Sequence, residues 1–132
     1  MAITLTISQA ELERQAKAVF EGKTFKLFLA TQGALTAESL TADWEAAEVV
    51  GNGYAAVTGT VGVGAWNTPN ARYELPAING TFTATGAGFT YDTICLVIDG
   101  ATHLHSINVE APSITLAAGQ SKSYTLTLAQ DD

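Results

Sequence analysis

The chain has 132 residues, of which 47% are hydrophobic, and a net charge of −7 with an isoelectric point near 4.6. Six Lys and Arg against thirteen Asp and Glu are too few to hold a phosphate backbone or an anionic lipid surface, so neither nucleic acid nor membrane is an expected partner. Charged residues make up 14% of the chain, well under the roughly 25% usual in globular domains, and Thr, Ser, Gly and Ala take their place.

Residues 1 to 132 are expected to form a single domain with a real core. A surface poor in charge is cheaper to desolvate against a partner. A single cysteine, Cys95, excludes an intramolecular disulfide and a cysteine zinc cluster. Its setting, "TICLVI", predicts a buried, inert thiol. The opening "MAITLTISQAELERQ" lacks the basic and apolar regions of a secretory signal, which points to synthesis in a cytoplasm. With that context the acceptor triplet Asn79-Gly80-Thr81 is read as idle.

In chain order, "ITLTI" predicts a short strand over residues 3 to 7. Ser8 with Glu11 three residues on forms a capping box, and Ile7 with Leu12 a hydrophobic staple. Leu12, Ala16, Val19 and Phe20 keep helical spacing and Gly22 suits the position past the end, so the helix is predicted over residues 9 to 21. Residues 1 to 23 are thus expected to be a strand-helix segment packed on a sheet domain. "TFKLFLAT", residues 24 to 31, alternates Phe25, Leu27 and Leu29 against Lys26 and Phe28, as a strand with one buried face would. "TADWEAAE", residues 41 to 48, is either a short helix or an irregular loop.

"GNGYAAVTGTVGVG", residues 51 to 64, raises the question of a phosphate loop. A dinucleotide fingerprint needs Gly-x-Gly-x-x-Gly between a strand and a helix. Gly51 and Gly53 begin it, but Ala56 stands at the third position; Gly62 and Gly64 begin it again, and Asn67 stands there. Val57, Val61 and Val63 instead share one parity, which predicts a strand whose glycines mark a bulge or a close backbone approach.

Residues 64 to 80, with two of the three prolines, read as the most loop-like stretch. "GTFTAT", 80 to 85, predicts a strand, and "YDTICLVI", 91 to 98, a central strand covered on both faces. Asp99-Gly100 predicts a two-residue type I′ turn. The returning "ATHLHSINV", 101 to 109, then sets Leu96 opposite His103 and Ile94 opposite His105. "SITL" and "SKSYTLTL", within residues 113 to 128, predict two further strands, the last with Tyr124, Leu126 and Leu128 inward. Asp131 and Asp132 are expected to fray. The fold class is mainly β: an antiparallel β-sandwich, jelly-roll or immunoglobulin-like, with one N-terminal helix.

The candidates for chemistry are sparse. His103 and His105 share a strand face, but a catalytic zinc needs a third ligand, so they read as half-exposed structural residues. No Gly-x-Ser-x-Gly elbow is present. Asp43, Glu45 and Glu48 around Trp44 read as a solvated helix face with one aromatic beneath it, not as a glycosidase pair. Trp44, Trp66, Tyr54 and Tyr73 are core lids or interface anchors. No enzyme, cofactor or metal site is expected, and a structural or binding module is.

Three stretches carry a resemblance. "TFKLFLAT" followed by "LTAESLTADWEAAEVVGNGYAAV", then "FTATGAGFTYDTICLVI", then "SITLAAGQSKSYTLTL" together resemble small virion proteins of tailed bacteriophages, including those of cyanobacteria, over residues 24 to 63 and 80 to 128. The resemblance implies a virion structural protein. The role it favours is a capsid decoration or cement protein, commonly a trimeric β-sandwich seated over contacts between major capsid subunits. Its expected partners are the major capsid protein and further copies of itself, and its expected location the capsid surface. A tail-associated fibre or baseplate component and a carbohydrate-binding module, with Trp44, Trp66 or Tyr73 as a stacking platform, are the alternatives. Residues 64 to 79 and the N-terminal segment are not needed to complete a sandwich, which makes Trp66, Asn67, Pro69, Arg72 and Tyr73 the candidate interface residues.

Overall fold

A computed structural model describes residue 3, residues 8 to 69 and residues 72 to 131, the last three of these by their backbone. In chain order its elements are α1 (Gln9–Val19), β1 (Thr24–Ala30), α2 (Thr41–Ala46), β2 (Val57–Thr60), β3 (Ala65–Asn67), β4 (Arg72–Glu74), β5 (Ile78–Thr83), β6 (Phe89–Ile98), β7 (Ser106–Leu116), β8 (Ser121–Leu126) and β9 (Ala129–Asp131). The protein is mainly β, with antiparallel sheets and one N-terminal helix besides the single turn and a half of α2. Its chain forms two compact units, one from residues 1 to 23, 60 to 78 and 125 to 132, the other from residues 24 to 59 and 79 to 124.

In the first unit, the Ser8 hydroxyl accepts the Glu11 N–H at 3.2 Å, which starts α1 as its cap residue predicts. The Glu11 carboxylate turns forward, to Arg14 and Gln15, so only half of the expected box is built. Ile7, the staple partner, and the expected strand over residues 3 to 7 lie outside the described residues apart from exposed Ile3. The helix stops two residues short of expectation: Phe20 caps it, giving its N–H to the Ala16 carbonyl as the last helical bond, and Gly22 turns the chain away at φ +72°. Leu12 and Ala16 are buried on its inner face.

The stretch that reads as loop from its prolines carries strands here. β3 and β4 pair antiparallel, Trp66 opposite Tyr73, and β4 pairs in turn with β9, Arg72 opposite Asp131. The frayed end expected at Asp131 is therefore corrected: its backbone completes a three-stranded sheet. Three-residue strands leave too little alternation to be seen in a sequence.

The second unit holds a four-stranded sheet ordered β2-β1-β6-β7 and the pair β5-β8. Central β6 is buried along almost its whole length, as its apolar run predicts. β1 corrects its expected alternation: Phe28 and Ala30 are as fully buried as Leu27 and Leu29. The reason is a second cover. Phe28, Ala30, Cys95 and Val97 pack with Trp44 of α2, and Leu35, Tyr54 and Leu104 close round them. β2 ends at Thr60 rather than running to residue 64, and Val63 is 78% exposed. Val61 leaves the strand to exchange hydrogen bonds with Gly22 and Lys23.

β7 runs unbroken for eleven residues where two separate strands are expected, with a register shift opposite Tyr91 and Thr93. Pro112 is accommodated there because β7 is an edge strand.

Candidate interaction surfaces

Two outward faces are built from hydroxyls. On β5 the alternation is strict: Ile78, Gly80 and Phe82 are buried while Asn79, Thr81 and Thr83 are exposed. Thr81 and Ser123 share a hydrogen bond at 2.8 Å, and Thr83 and Ser121 another at 2.7 Å. Of the three residues expected inward, Leu128 is buried and Tyr124 and Leu126 are half-buried. On the four-stranded sheet Thr90 and Thr115 form a further rung at 2.9 Å. Each pair satisfies part of its own hydrogen-bonding capacity and leaves the rest to solvent or a partner. Beneath β5 and β8 lies a row of rings: Tyr54 stacks on Phe82 at 5.9 Å, and the Tyr91 and Tyr124 hydroxyls meet. Burial raises both of those phenols above the ordinary tyrosine range.

Of the expected interface residues, Trp66 and Asn67 are half-buried on β3, Pro69 is exposed, and Arg72 pairs with Glu74 at 3.1 Å. Trp66, Asn67 and Pro69 line one open depression of about 480 Å³. Tyr73 is 3% exposed and belongs to the core of its unit. Its hydroxyl donates to the Glu21 carboxylate, which also accepts the Gly64 N–H at 2.8 Å. Those two donors, Tyr73 first, hold the Glu21 carboxyl below the usual carboxylate range, and burial pushes the Tyr73 phenol up to about 12. Gly64 shows why glycine stands there, since a Cβ would come 2.5 Å from the Glu74 carbonyl oxygen.

Around α2 the arrangement matches the bland reading of its acids. Trp44 is fully buried, Asp43 and Glu45 are exposed, and Lys26 reaches Glu45 at 3.3 Å and Glu48 at 3.1 Å. Glu48 also accepts the Tyr54 hydroxyl at 2.6 Å. Sequence reasoning missed this network, because Lys26 and Glu48 are joined only once α2 lies on β1.

The two histidines are placed differently from expectation. Asp99 and Gly100 have φ of 57° and 61°, as a type I′ turn requires. The chain does not return at once along β6, however: Leu96 lies opposite Ser106 and Ile94 opposite Asn108. His103 bridges to Leu40 instead. The start of α2 has captured residues 101 to 103, with Thr41 donating its N–H to Thr102 at 2.7 Å. Among the described residues no three His, Cys, Asp or Glu side chains converge on a common point. Cys95 is buried as expected, and burial pushes its thiol up to about 12. Among the described residues no helix is long and apolar enough to cross a membrane.

Compared with known protein families, curated proteins and solved structures, the chain finds no match.

Proposed function

We propose that this chain is a non-enzymatic structural protein of a bacteriophage particle, acting as a capsid decoration or cement protein on an antiparallel β-sandwich scaffold. The observation that carries the reading is the character of the outer sheet faces. Rungs of Thr and Ser, backed by buried rings, make a stiff and nearly uncharged surface. Such a surface meets a large neighbour with little desolvation cost and without the repulsion that a chain of charge −7 otherwise brings. The resembling segments add support, since they include β1, α2, β6 and β8 in full. Self-association as a trimer and binding to the major capsid protein follow from this role.

The carbohydrate platform loses two of its three rings to the core, because Trp44 is 0% and Tyr73 3% exposed. A tail location differs from the shell in copy number and in place on the particle. Sedimentation of the purified protein with expanded empty shells tests the proposal: saturable co-sedimentation supports it, and a monomer that stays in the supernatant at every shell concentration refutes it.

A further inference from the structure

The beginning of α2 and the loop after the Asp99–Gly100 turn are fastened together. The Thr41 N–H donates to the Thr102 carbonyl and its hydroxyl donates to the Ala101 carbonyl, both at 2.7 Å. The bridge between Leu40 and His103 adds a third tie. Between the two segments lies an open depression of about 510 Å³, within the size range of binding pockets. Leu40 and Ala42 form one wall, Ala101 and Thr102 the other, and Glu45 stands at the rim. Thr41, which makes the ties, is 6% exposed, whereas Leu40 keeps 44% of its surface in water. A lone exposed leucine needs no explanation. One set in a concavity with hydrogen-bonded walls is a preformed apolar contact point, and little ordering remains to be done on binding.

Charge limits what can dock there. Glu45 lines the depression, Asp43 follows Ala42, and Asp99 precedes Gly100, all three exposed. Lys26 is shared between Glu45 and Glu48, so Glu45 has only part of one cation to balance it. A second copy of this acidic chain would bring like charge to the rim.

We propose that this depression docks a partner polypeptide segment that carries a leucine-sized apolar side chain next to a lysine or arginine. The assignment stands apart from the virion reading, since it asks only for a partner of that chemistry.

The test is an amide-resolved NMR titration of the full chain at low salt with two blocked dipeptides, acetyl-Leu-Arg-amide and acetyl-Leu-Glu-amide. The arginine peptide is expected to shift the amides of residues 40 to 45 and 100 to 103, and to bind at least about tenfold more tightly than the glutamate peptide. Added salt is expected to weaken it. Leu40→Ser removes the apolar wall while giving α2 a hydroxyl cap, so the helix is retained, and about a tenfold loss of binding is expected. The assignment is overturned by an absence of shifts, by equal affinity for the two peptides, or by an unchanged response in Leu40→Ser. Shifts of the same amides on concentrating the protein alone also overturn it, because a second copy would then be the occupant.

Discussion

The indole N–H of Trp44 donates to the carbonyl oxygen of Thr36 at 3.0 Å, and its ring is fully buried against β1 and β6. One side chain thereby fixes both α2 and the loop before it on the sheet. Trp44→Ala is expected to lower stability by about 3–5 kcal/mol, through lost burial and the cavity left behind. Trp44→Phe keeps much of the packing but strands the Thr36 carbonyl, at a smaller cost of about 1–3 kcal/mol. Urea unfolding followed by circular dichroism measures both, and an alanine variant within about 0.5 kcal/mol of wild type contradicts this account.

Glu21 ties the end of α1 to β4 through the Tyr73 hydroxyl and to Gly64. Its carboxyl sits lower in the folded chain than in the unfolded one. The stability it contributes is therefore present above the ordinary glutamate range and is lost as pH falls through the lower folded value. Tyr73→Phe removes the largest cause of the depression, so the Glu21 carboxyl is expected to titrate closer to its ordinary range. Carboxyl-detected NMR across the acid range follows this directly, and an unchanged Glu21 titration would count against the tie.

Gly88 and Gly100 both have positive φ, of 76° and 61°, but their surroundings differ. A Cβ on Gly100 meets nothing within 4 Å, whereas one on Gly88 falls 2.1 Å from the Leu116 carbonyl oxygen. Gly100→Ala is expected to cost about 1–2 kcal/mol from backbone conformation alone. Gly88→Ala is expected to cost distinctly more, since β7 must shift as well. Equal midpoints of thermal unfolding for the two variants would contradict the close approach.

The Cys95 thiol is buried at 0% exposure and pushed up to about 12. Only the thiolate reacts. An aromatic disulfide reagent at mildly alkaline pH is expected to leave the native protein unmodified and to label one thiol per chain after unfolding in urea. Rapid labelling of the folded chain is the contrary result.

Those elements that carry their own signal were legible in the sequence. Ser8 places the start of α1, the apolar run from Tyr91 to Ile98 marks a central strand, and Phe82 and Ala84 alternating with threonines separate core from surface. What the sequence left hidden depends on distant partners. Phe28 reads as an exposed strand residue until Trp44 covers it. The register after Asp99-Gly100 reads as a tight hairpin until Thr41 draws residues 101 to 103 away. Of the candidate interface residues, Trp66, Asn67 and Pro69 share one depression, but Tyr73 in the same set is core, held by a Glu21 that no local pattern links to it. The depression at Leu40 had no sequence signal, because its two walls lie some sixty residues apart.

The central claim, a structural role on the shell, is tested most directly by locating this chain on the intact virus particle by cryo-electron microscopy with quantitative mass spectrometry. The account calls for many copies, grouped in threes, spread over the outer surface of the head. A particle that lacks the chain, or carries it only at the tail, contradicts it.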